Sequence, residues 1–188
     1  RVVYDPSGQF QEGTLVVMIP NTPSENDEVI AENYLRSSQF RASGFDGFMQ
    51  EYVSMKPDRL VPLPEDINLS VAAFTEIVSV SYHAIQRFLR FSHTRRNVIG
   101  VWGDGNLGYI TSLLLKIILP ESRICVFGVN EYKLHDFSFA DDVFLISEIP
   151  DDFYLDHAFE CVGGAASSKA INQIIDHINP EGTISIMG

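Results

Sequence analysis

Long hydrophobic runs are absent from this sequence. The longest apolar stretch, residues 113–119, is interrupted by Lys116, whereas a helix needs about 20 apolar residues to cross a bilayer. The chain also does not open with a basic segment followed by an apolar one, which is the pattern of a secretory signal. We therefore expect no membrane partner.

Cysteine and positive charge are both scarce. Cys125 and Cys161 lie in apolar, strand-like runs, a setting that favours reduced buried thiols in a cytoplasmic protein over a disulfide. The 25 acidic residues outnumber the 13 lysine and arginine residues, and the formal net charge is -12. Binding along a nucleic-acid backbone needs clustered basic residues, so we expect no nucleic-acid partner.

Hydrophobic residues make up 45% of the 188 residues, which is enough for a buried core. Their pattern predicts a partial β-rich domain over 1–66, connecting helices over 67–92 and an incomplete dinucleotide-binding domain over 93–188. The chain begins at Arg1 without methionine and ends at Gly188 directly after a strand-like run. We therefore expect a chain that is truncated at both ends.

The first segment consists of short extended runs separated by turn residues. A β-branched run at 14–19 is stopped by Pro20, and further strands are predicted at 47–53 and 59–61. One short helix is predicted within 28–35. These features indicate a small β-rich domain.

The last segment alternates strands and helices. Strands are predicted at 98–102, 123–127, 143–146, 156–161 and 183–187, with helices at 107–118, near 131–137 and at 168–178. Alternation of this kind produces right-handed βαβ units and a parallel sheet. The predicted fold class is therefore α/β, a doubly wound parallel sheet of the Rossmann type.

A glycine-rich turn, Gly103-Asp104-Gly105-Asn106-Leu107-Gly108, follows the first of these strands and opens a helix. In such turns the first glycine permits the tight bend, the second lets the backbone approach a pyrophosphate, and the third lets the helix pack closely. N–H groups at the helix start, at Asn106 and Leu107, then face the anion. The context favours a dinucleotide site over an ordinary turn, and a methyltransferase with a similar loop is the alternative.

The choice of cofactor is expected at the end of the second strand, where NAD-specific sites usually carry an acidic residue for the ribose 2′-hydroxyl. This chain has Gly128-Val129-Asn130 there. Without a carboxylate to repel a 2′-phosphate, NADP is favoured, with Asn130 and Lys133 as candidate contacts. Lys133 either supplies a cation or is a solvated helix residue, and both interpretations stay open.

Glu76 stands in a strongly apolar stretch, seven residues before His83. Glutamate is rarely buried unless it is paired or bound to a metal, but a glutamate that faces solvent or a helix dipole is common. His83 is more simply interpreted as a packed histidine. The sequence has no HExxH, no CxxC and no Cys/His cluster, so these residues alone do not predict a metal site.

The order of elements resembles the medium-chain dehydrogenase/reductase family over nearly the whole chain. Residues 11–20, 47–53 and 57–62 resemble segments of its GroES-like catalytic domain, and residues 72–84 resemble its A-A-x-x-E-P…H-A helices. In the zinc-dependent polyol dehydrogenases of this family that glutamate is a catalytic zinc ligand. The resemblance therefore implies that Glu76 is a zinc ligand, although Ile77 replaces the usual proline.

Three stretches, 40–49, 75–80 and 156–164, resemble the ribulose-5-phosphate reductases that make ribitol 5-phosphate for CDP-ribitol and wall teichoic acid of the cell wall. The resemblance implies NADPH, a catalytic zinc that acts as a Lewis acid, a phosphorylated sugar as substrate, and a homo-oligomer at full length. That group tends to carry a basic residue where this chain has Val129-Asn130.

The resemblance also implies that the remaining zinc ligands, a cysteine and a His-Glu pair, belong upstream of Arg1. We therefore expect these 188 residues alone to be catalytically inactive, and no catalytic residue is assigned. Three alternatives stay open: another polyol or alcohol dehydrogenase, a zinc-independent quinone-type reductase with a structural Glu76, and a nucleotide-binding module without catalysis.

Overall fold

A computed structural model describes all 188 residues, which form two compact units, Arg1–Ala73 and Phe74–Gly188. In the first unit, strand β1 (Val16–Met18) pairs antiparallel with β2 (Leu60–Pro62). Single 3-10 turns lie at Glu32–Tyr34 and Pro57–Arg59. The unit ends with helix α1 (Leu69–Ala72).

The strand predicted at 47–53 is wrong, because no strand forms there. Met49 is fully exposed and Tyr52 is 69% exposed, so the segment finds neither a pairing partner nor an apolar face to cover, and strand preference depends on both. The helix predicted within 28–35 is reduced to the single turn Glu32–Tyr34. So short a segment gains too few hydrogen bonds to offset the cost of helix nucleation.

The second unit alternates helices and strands as predicted. Its elements are α2 (Thr75–Phe91), β3 (Val98–Trp102), α3 (Asn106–Ile118), β4 (Arg123–Gly128), α4 (Glu131–Leu134), β5 (Asp142–Leu145), β6 (Leu155–Glu160), α5 (Ser167–His177) and β7 (Ile178–Ile186). A 3-10 turn at Gly164–Ala166 precedes α5. None of the helices is both long and apolar enough to span a bilayer.

The five strands form one parallel sheet in the order β5-β4-β3-β6-β7. Every residue of β6 is buried, which is typical of parallel strands covered on both faces. After β3 the successive strands β4 and β5 are added on one side and β6 and β7 on the other, so the strand order reverses between β3 and β6. Ligands of open α/β sheets bind at the carboxyl ends of the strands at such a point. The predicted doubly wound α/β fold is confirmed.

Alternation along β3 sends its side chains to opposite faces of the sheet. Ile99 and Val101 pack with Ile85 and Phe88 of α2 and with Leu115 of α3. On the other face Trp102 packs with Phe127 of β4 and with two residues of α5, Ala170 and Ile174. Helices therefore cover both faces of the sheet. The carboxyl ends of the strands, where the glycine turn lies, are not covered by them.

Asp156 ties the start of β6 to the start of β3. Its carboxylate accepts hydrogen bonds from the N–H groups of Asn97 and Val98, at 2.9 and 3.2 Å, and from the Arg95 guanidinium at 2.7 Å. Burial by itself would raise the pKa of Asp156, but these donors and Asn179 lower it below the ordinary value. These hydrogen bonds hold β3 and β6 in register at their amino-terminal ends, opposite the glycine turn.

Candidate functional site

The glycine turn lies between the carboxyl ends of β3, β4 and β6. Gly103 has a positive φ of 131° and donates its N–H to the carbonyl of Phe127 at 2.8 Å. A Cβ on Gly103 would lie 3.0 Å from the backbone of Cys161. Only glycine adopts this backbone conformation readily, so the residue type at 103 follows from both conformation and space.

The other two glycines of the turn differ in what surrounds them. A Cβ on Gly108 would stand 2.0 Å from the carbonyl oxygen of Gly103, whereas a Cβ on Gly105 would meet nothing within 4 Å. Gly105 caps α3 without any side-chain hydrogen bond, so the first N–H groups of the helix, at Asn106 and Leu107, are not capped. Gly108 therefore serves packing, and Gly105 leaves room for a ligand that takes the helix N-terminus.

The loop after β4 is held by a residue of the glycine turn. Asp104 accepts hydrogen bonds at its Oδ2 from the N–H groups of Val129 and Asn130, at 2.9 and 2.8 Å. The Asn130 side chain in turn caps α4 by accepting from the Lys133 N–H at 3.2 Å. Sequence reasoning missed this role of Asp104, although an acidic residue between the first two glycines was a usable signal.

A cleft of about 370 Å³ opens at the carboxyl ends of the strands. Its lining comes from the glycine turn, the ends of β3, β4 and β6, the segment after β5, and α5: Trp102, Gly103, Asp104, Gly105, Phe127, Gly128, Val129, Ile146, Cys161, Val162, Ala166, Lys169, Ala170 and Gln173. Of the predicted site residues, Gly103 and Gly105 line it. The other predicted cofactor residues do not line it: Asn106, Leu107, Gly108, Asn130 and Lys133.

One wall of the cleft is aromatic. Trp102 stacks on Phe127 with ring centroids 3.9 Å apart, and its indole N–H donates to Oε1 of Gln173 at 3.0 Å. Gln173 donates in turn to the carbonyl of Ile146 at 2.7 Å. These bonds fix the wall before any ligand arrives, which reduces the entropy cost of binding.

Glu160, the last residue of β6, is fully buried. Its Oε1 accepts from the N–H groups of Val162 and Gly163, each at 2.9 Å, and its Oε2 has no partner. The carboxylate thus shapes the loop that brings Val162 to the cleft. Sequence reasoning missed this role, and the signal was a glutamate inside the predicted strand 156–161.

Both cysteines are free and buried, as the sequence predicts. Burial raises the pKa of Cys125 and of Cys161 to about 12. A thiol with so high a pKa stays protonated near neutral pH and is a poor nucleophile or metal ligand. Cys161 therefore lines the cleft as an apolar group.

Glu76 lies in the first turn of α2 and is exposed. His83 is exposed as well, so the expectation of a packed His83 is wrong. No group of three or more His, Cys, Asp or Glu side chains in the chain is arranged to hold a metal ion. The residues of this chain therefore do not by themselves fit a zinc site, in which three or four protein ligands are usual.

No model of a protein family matches the chain, but curated proteins do. Ribulose-5-phosphate reductase 1 of Staphylococcus aureus is 60% identical over 188 residues. The ribulose-5-phosphate reductase of Bacillus spizizenii is 57% identical over the same length. The match takes in 100% of this chain and 55% of each relative, so the chain spans about half the length of the curated relatives it matches.

Solved structures agree with this relationship. The crystal structure of S. aureus TarJ in complex with NADPH superposes with a TM-score of 0.80 at 52% identity, over 98% of this chain and 51% of that one. Galactitol-1-phosphate dehydrogenase of Escherichia coli superposes over 96% of this chain and 54% of its own, with a TM-score of 0.75 at 17% identity, a likeness of fold alone. Over its whole length the chain is similar to ribulose-5-phosphate reductases, and its fold is like that of the medium-chain dehydrogenases.

Proposed function

We propose that the protein to which this chain belongs is an NADPH-dependent reductase that converts D-ribulose 5-phosphate to D-ribitol 5-phosphate. The observation that carries the proposal is the glycine turn, with uncapped N–H groups at the start of α3 and open space at Gly105. The names of the relatives support the substrate. The NADPH complex of S. aureus TarJ supports the cofactor.

The cofactor pyrophosphate is assigned to the start of α3. The N–H groups of Asn106, Leu107 and Gly108 lie in the first turn of a 13-residue helix, which places the positive end of the helix dipole beside the anion. Gly103 and Gly105 let the backbone approach closely. The adenosine half is assigned to the cleft over the ends of β4 and β5, where the wall is apolar and aromatic.

When bound, NADPH supplies the hydride that turns the ketone into a secondary alcohol, with a proton completing the hydroxyl. The residues described here bind and orient the cofactor for this step. Glu160 holds the loop of Val162 and Gly163 beside the cleft. Cys161 presents an apolar surface that excludes water from the cleft.

For the full-length protein we propose that a zinc ion assists the hydride transfer. Glu76 is one exposed carboxylate, and no further ligands from this chain converge on it. The residues of this chain therefore do not form a metal centre by themselves. Elemental analysis of the full-length protein and of its Glu76→Gln variant tests the role of Glu76, and equal zinc content in both would remove it from the ligand set.

The cellular setting belongs to the same proposal. We place the reaction in the cytoplasm, as a step toward cell-wall teichoic acid, and expect the full-length protein to be a homo-oligomer. The free thiols of Cys125 and Cys161 agree with a reducing compartment. Sedimentation of the full-length protein measures its oligomeric state, and a monomer would contradict that part.

The reaction is tested by following NADPH oxidation by the full-length protein. We expect turnover with ribulose 5-phosphate that exceeds turnover with xylulose 5-phosphate, and turnover with NADPH that exceeds turnover with NADH. Reduction of another ketose phosphate in preference to ribulose 5-phosphate would overturn the substrate. Reduction of quinones without ketone reduction would point to a quinone-type reductase.

A further inference from the structure

The charged groups around the cleft are few and of opposite sign. Among its lining residues only Asp104 and Lys169 carry a charge. The cleft includes Gly128, the last residue of β4, and Val129, which follows it. This position is where dinucleotide-binding folds read the 2′ position of the adenosine ribose.

The backbone at the end of β4 is not free to bind a phosphate. The N–H groups of Val129 and Asn130 are both donated to the Asp104 carboxylate. Asp104 also brings a negative charge to this part of the site. A 2′-phosphate placed beside Val129 therefore needs a cation from elsewhere, because phosphate binding depends on charge-assisted hydrogen bonds.

Lys169 meets this need by position. It lies in the first turn of α5, and Ala166, Ala170 and Gln173 of the same region line the cleft with it. Its side chain is exposed, and its ammonium has no hydrogen bond or ion pair within the chain. An ammonium with three unused donors is suited to a phosphate.

Lys133, which the sequence suggests for this task, is placed differently. It is exposed, and it does not line the cleft. Its backbone N–H serves the cap of α4 through Asn130. This arrangement fits a solvated helix residue.

We propose that Lys169 is the specificity-determining residue that recognises the 2′-phosphate of NADPH. The inference rests on the proposed cofactor and assigns the cation that selects it. Lys169 reaches the phosphate from α5, across the cleft from the loop after β4, while Asp104 occupies two backbone donors of that loop. The chain thus discriminates NADPH from NADH without a basic residue after its second strand.

The test measures dissociation constants of NADPH and NADH for the full-length protein and for its Lys169→Ala, Lys169→Arg and Lys133→Ala variants. Alanine is favourable in a helix, and Lys169 is exposed, so Lys169→Ala keeps the fold. We expect Lys169→Ala to weaken NADPH binding roughly 10- to 100-fold, the range for a lost hydrogen bond to a charged group. The dissociation constant of NADH should stay within about twofold of its value in the unmodified protein, because NADH has no 2′-phosphate for Lys169 to contact.

Lys169→Arg should restore most of the NADPH affinity, and Lys133→Ala should bind both cofactors as the unmodified protein does. An unchanged NADPH preference in Lys169→Ala, or a lost preference in Lys133→Ala, overturns the inference and leaves the proposed reductase intact. An unmodified protein that prefers NADH, or binds both cofactors equally, overturns the inference and the NADPH cofactor together. Ribulose 5-phosphate turnover with NADH would then show whether the substrate still stands.

Discussion

The two compact units differ in where their hydrophobic side chains lie. In Phe74–Gly188, three clusters of buried side chains fill both faces of the parallel sheet. In Arg1–Ala73 the only buried residue is Asn21, while Met49 and Tyr52 are exposed. Hydrophobic burial is thus concentrated in the second unit.

This difference explains why the candidate site lies in the second unit. Hydrophobic burial is the dominant favourable contribution to folding, and a packed core holds backbone groups at fixed positions. The glycine turn depends on such fixed positions, because Gly103 must sit against Cys161 and Gly108 against Gly103. In the first unit the β1–β2 pair is three residues long, and the ion pair of Arg59 with Glu32 at 2.7 Å adds little by comparison.

The largest effect is expected in the packed turn of the second unit. Gly108→Ala places a methyl group 2.0 Å from the Gly103 carbonyl, so the turn must move, and both stability and cofactor affinity should fall. We expect a loss of about 2 kcal/mol or more in unfolding free energy and at least tenfold weaker NADPH binding. Thermal unfolding and NADPH titration of the full-length protein measure these changes.

Gly105→Ala is the matched variant, since its methyl group meets open space. It should leave stability nearly unchanged and still weaken NADPH binding, because the space it fills is assigned to the pyrophosphate. Equal stability losses in the two variants would contradict the distinction between a packing glycine and a ligand-facing glycine.

An intermediate effect is expected from acid at His157, in the core of the second unit. Its Nδ1 accepts from the Thr183 N–H at 3.1 Å, so its Nε2 donates to the Arg95 carbonyl at 2.9 Å. Burial, with a smaller contribution from nearby His93, lowers the pKa of His157 from 6.5 to about 4. The folded chain therefore favours the neutral ring.

Because the folded-state pKa is the lower one, the stability that His157 contributes is complete above about pH 6.5 and is lost as the pH falls toward 4. The protection factors of the β6 and β7 amides, in which the intrinsic slowing of exchange by acid is divided out, should fall between these pH values. The His157→Asn variant should be less stable at neutral pH and should lack this pH step. A step of the same size in that variant would show that another group titrates.

The smallest effect is expected in the first unit. Glu32→Gln removes the ion pair with Arg59, whose side chain is 16% exposed while that of Glu32 is 41% exposed. The hydrogen bond that Arg59 donates to the Glu32 carboxylate raises the pKa of Arg59, but ion pairs this exposed contribute at most about 1 kcal/mol. Chemical denaturation with Glu28→Gln as charge-matched control measures the change, and a loss beyond about 2 kcal/mol would mean that polar contacts stabilise this unit more than burial suggests.

The two units also differ in how far their local sequence predicts their strands and helices. The strands 98–102 and 123–127 were predicted nearly to the residue, because strands buried on both faces read as continuous apolar runs. The prediction of a strand at 47–53 was wrong. The apolar residues of this segment suggested a strand, but whether a partner strand lies beside it is not encoded locally. The β1–β2 pairing joins segments more than 40 residues apart, and nothing local specifies such a pair.

The site shows the same limit at the level of single side chains. Gly103, Gly105 and Gly108 were recognised because their spacing follows from the local geometry of a strand, a turn and a helix. Asp104 and Lys169 were missed, since their roles depend on the loop after β4 and on α5, which approach the turn only in the folded chain.

The sequence by itself determined the parallel α/β unit and the glycine turn, because these follow from local periodicity and from residue types at fixed spacing. Only the tertiary structure decided which polar groups face the cleft and which already form hydrogen bonds within the chain. Asp104 uses both backbone donors of the loop after β4, and Lys169 has none of its donors used. Such pairings join residues distant in sequence, and a hydrogen-bond donor can serve a ligand only when the fold has not already given it a partner.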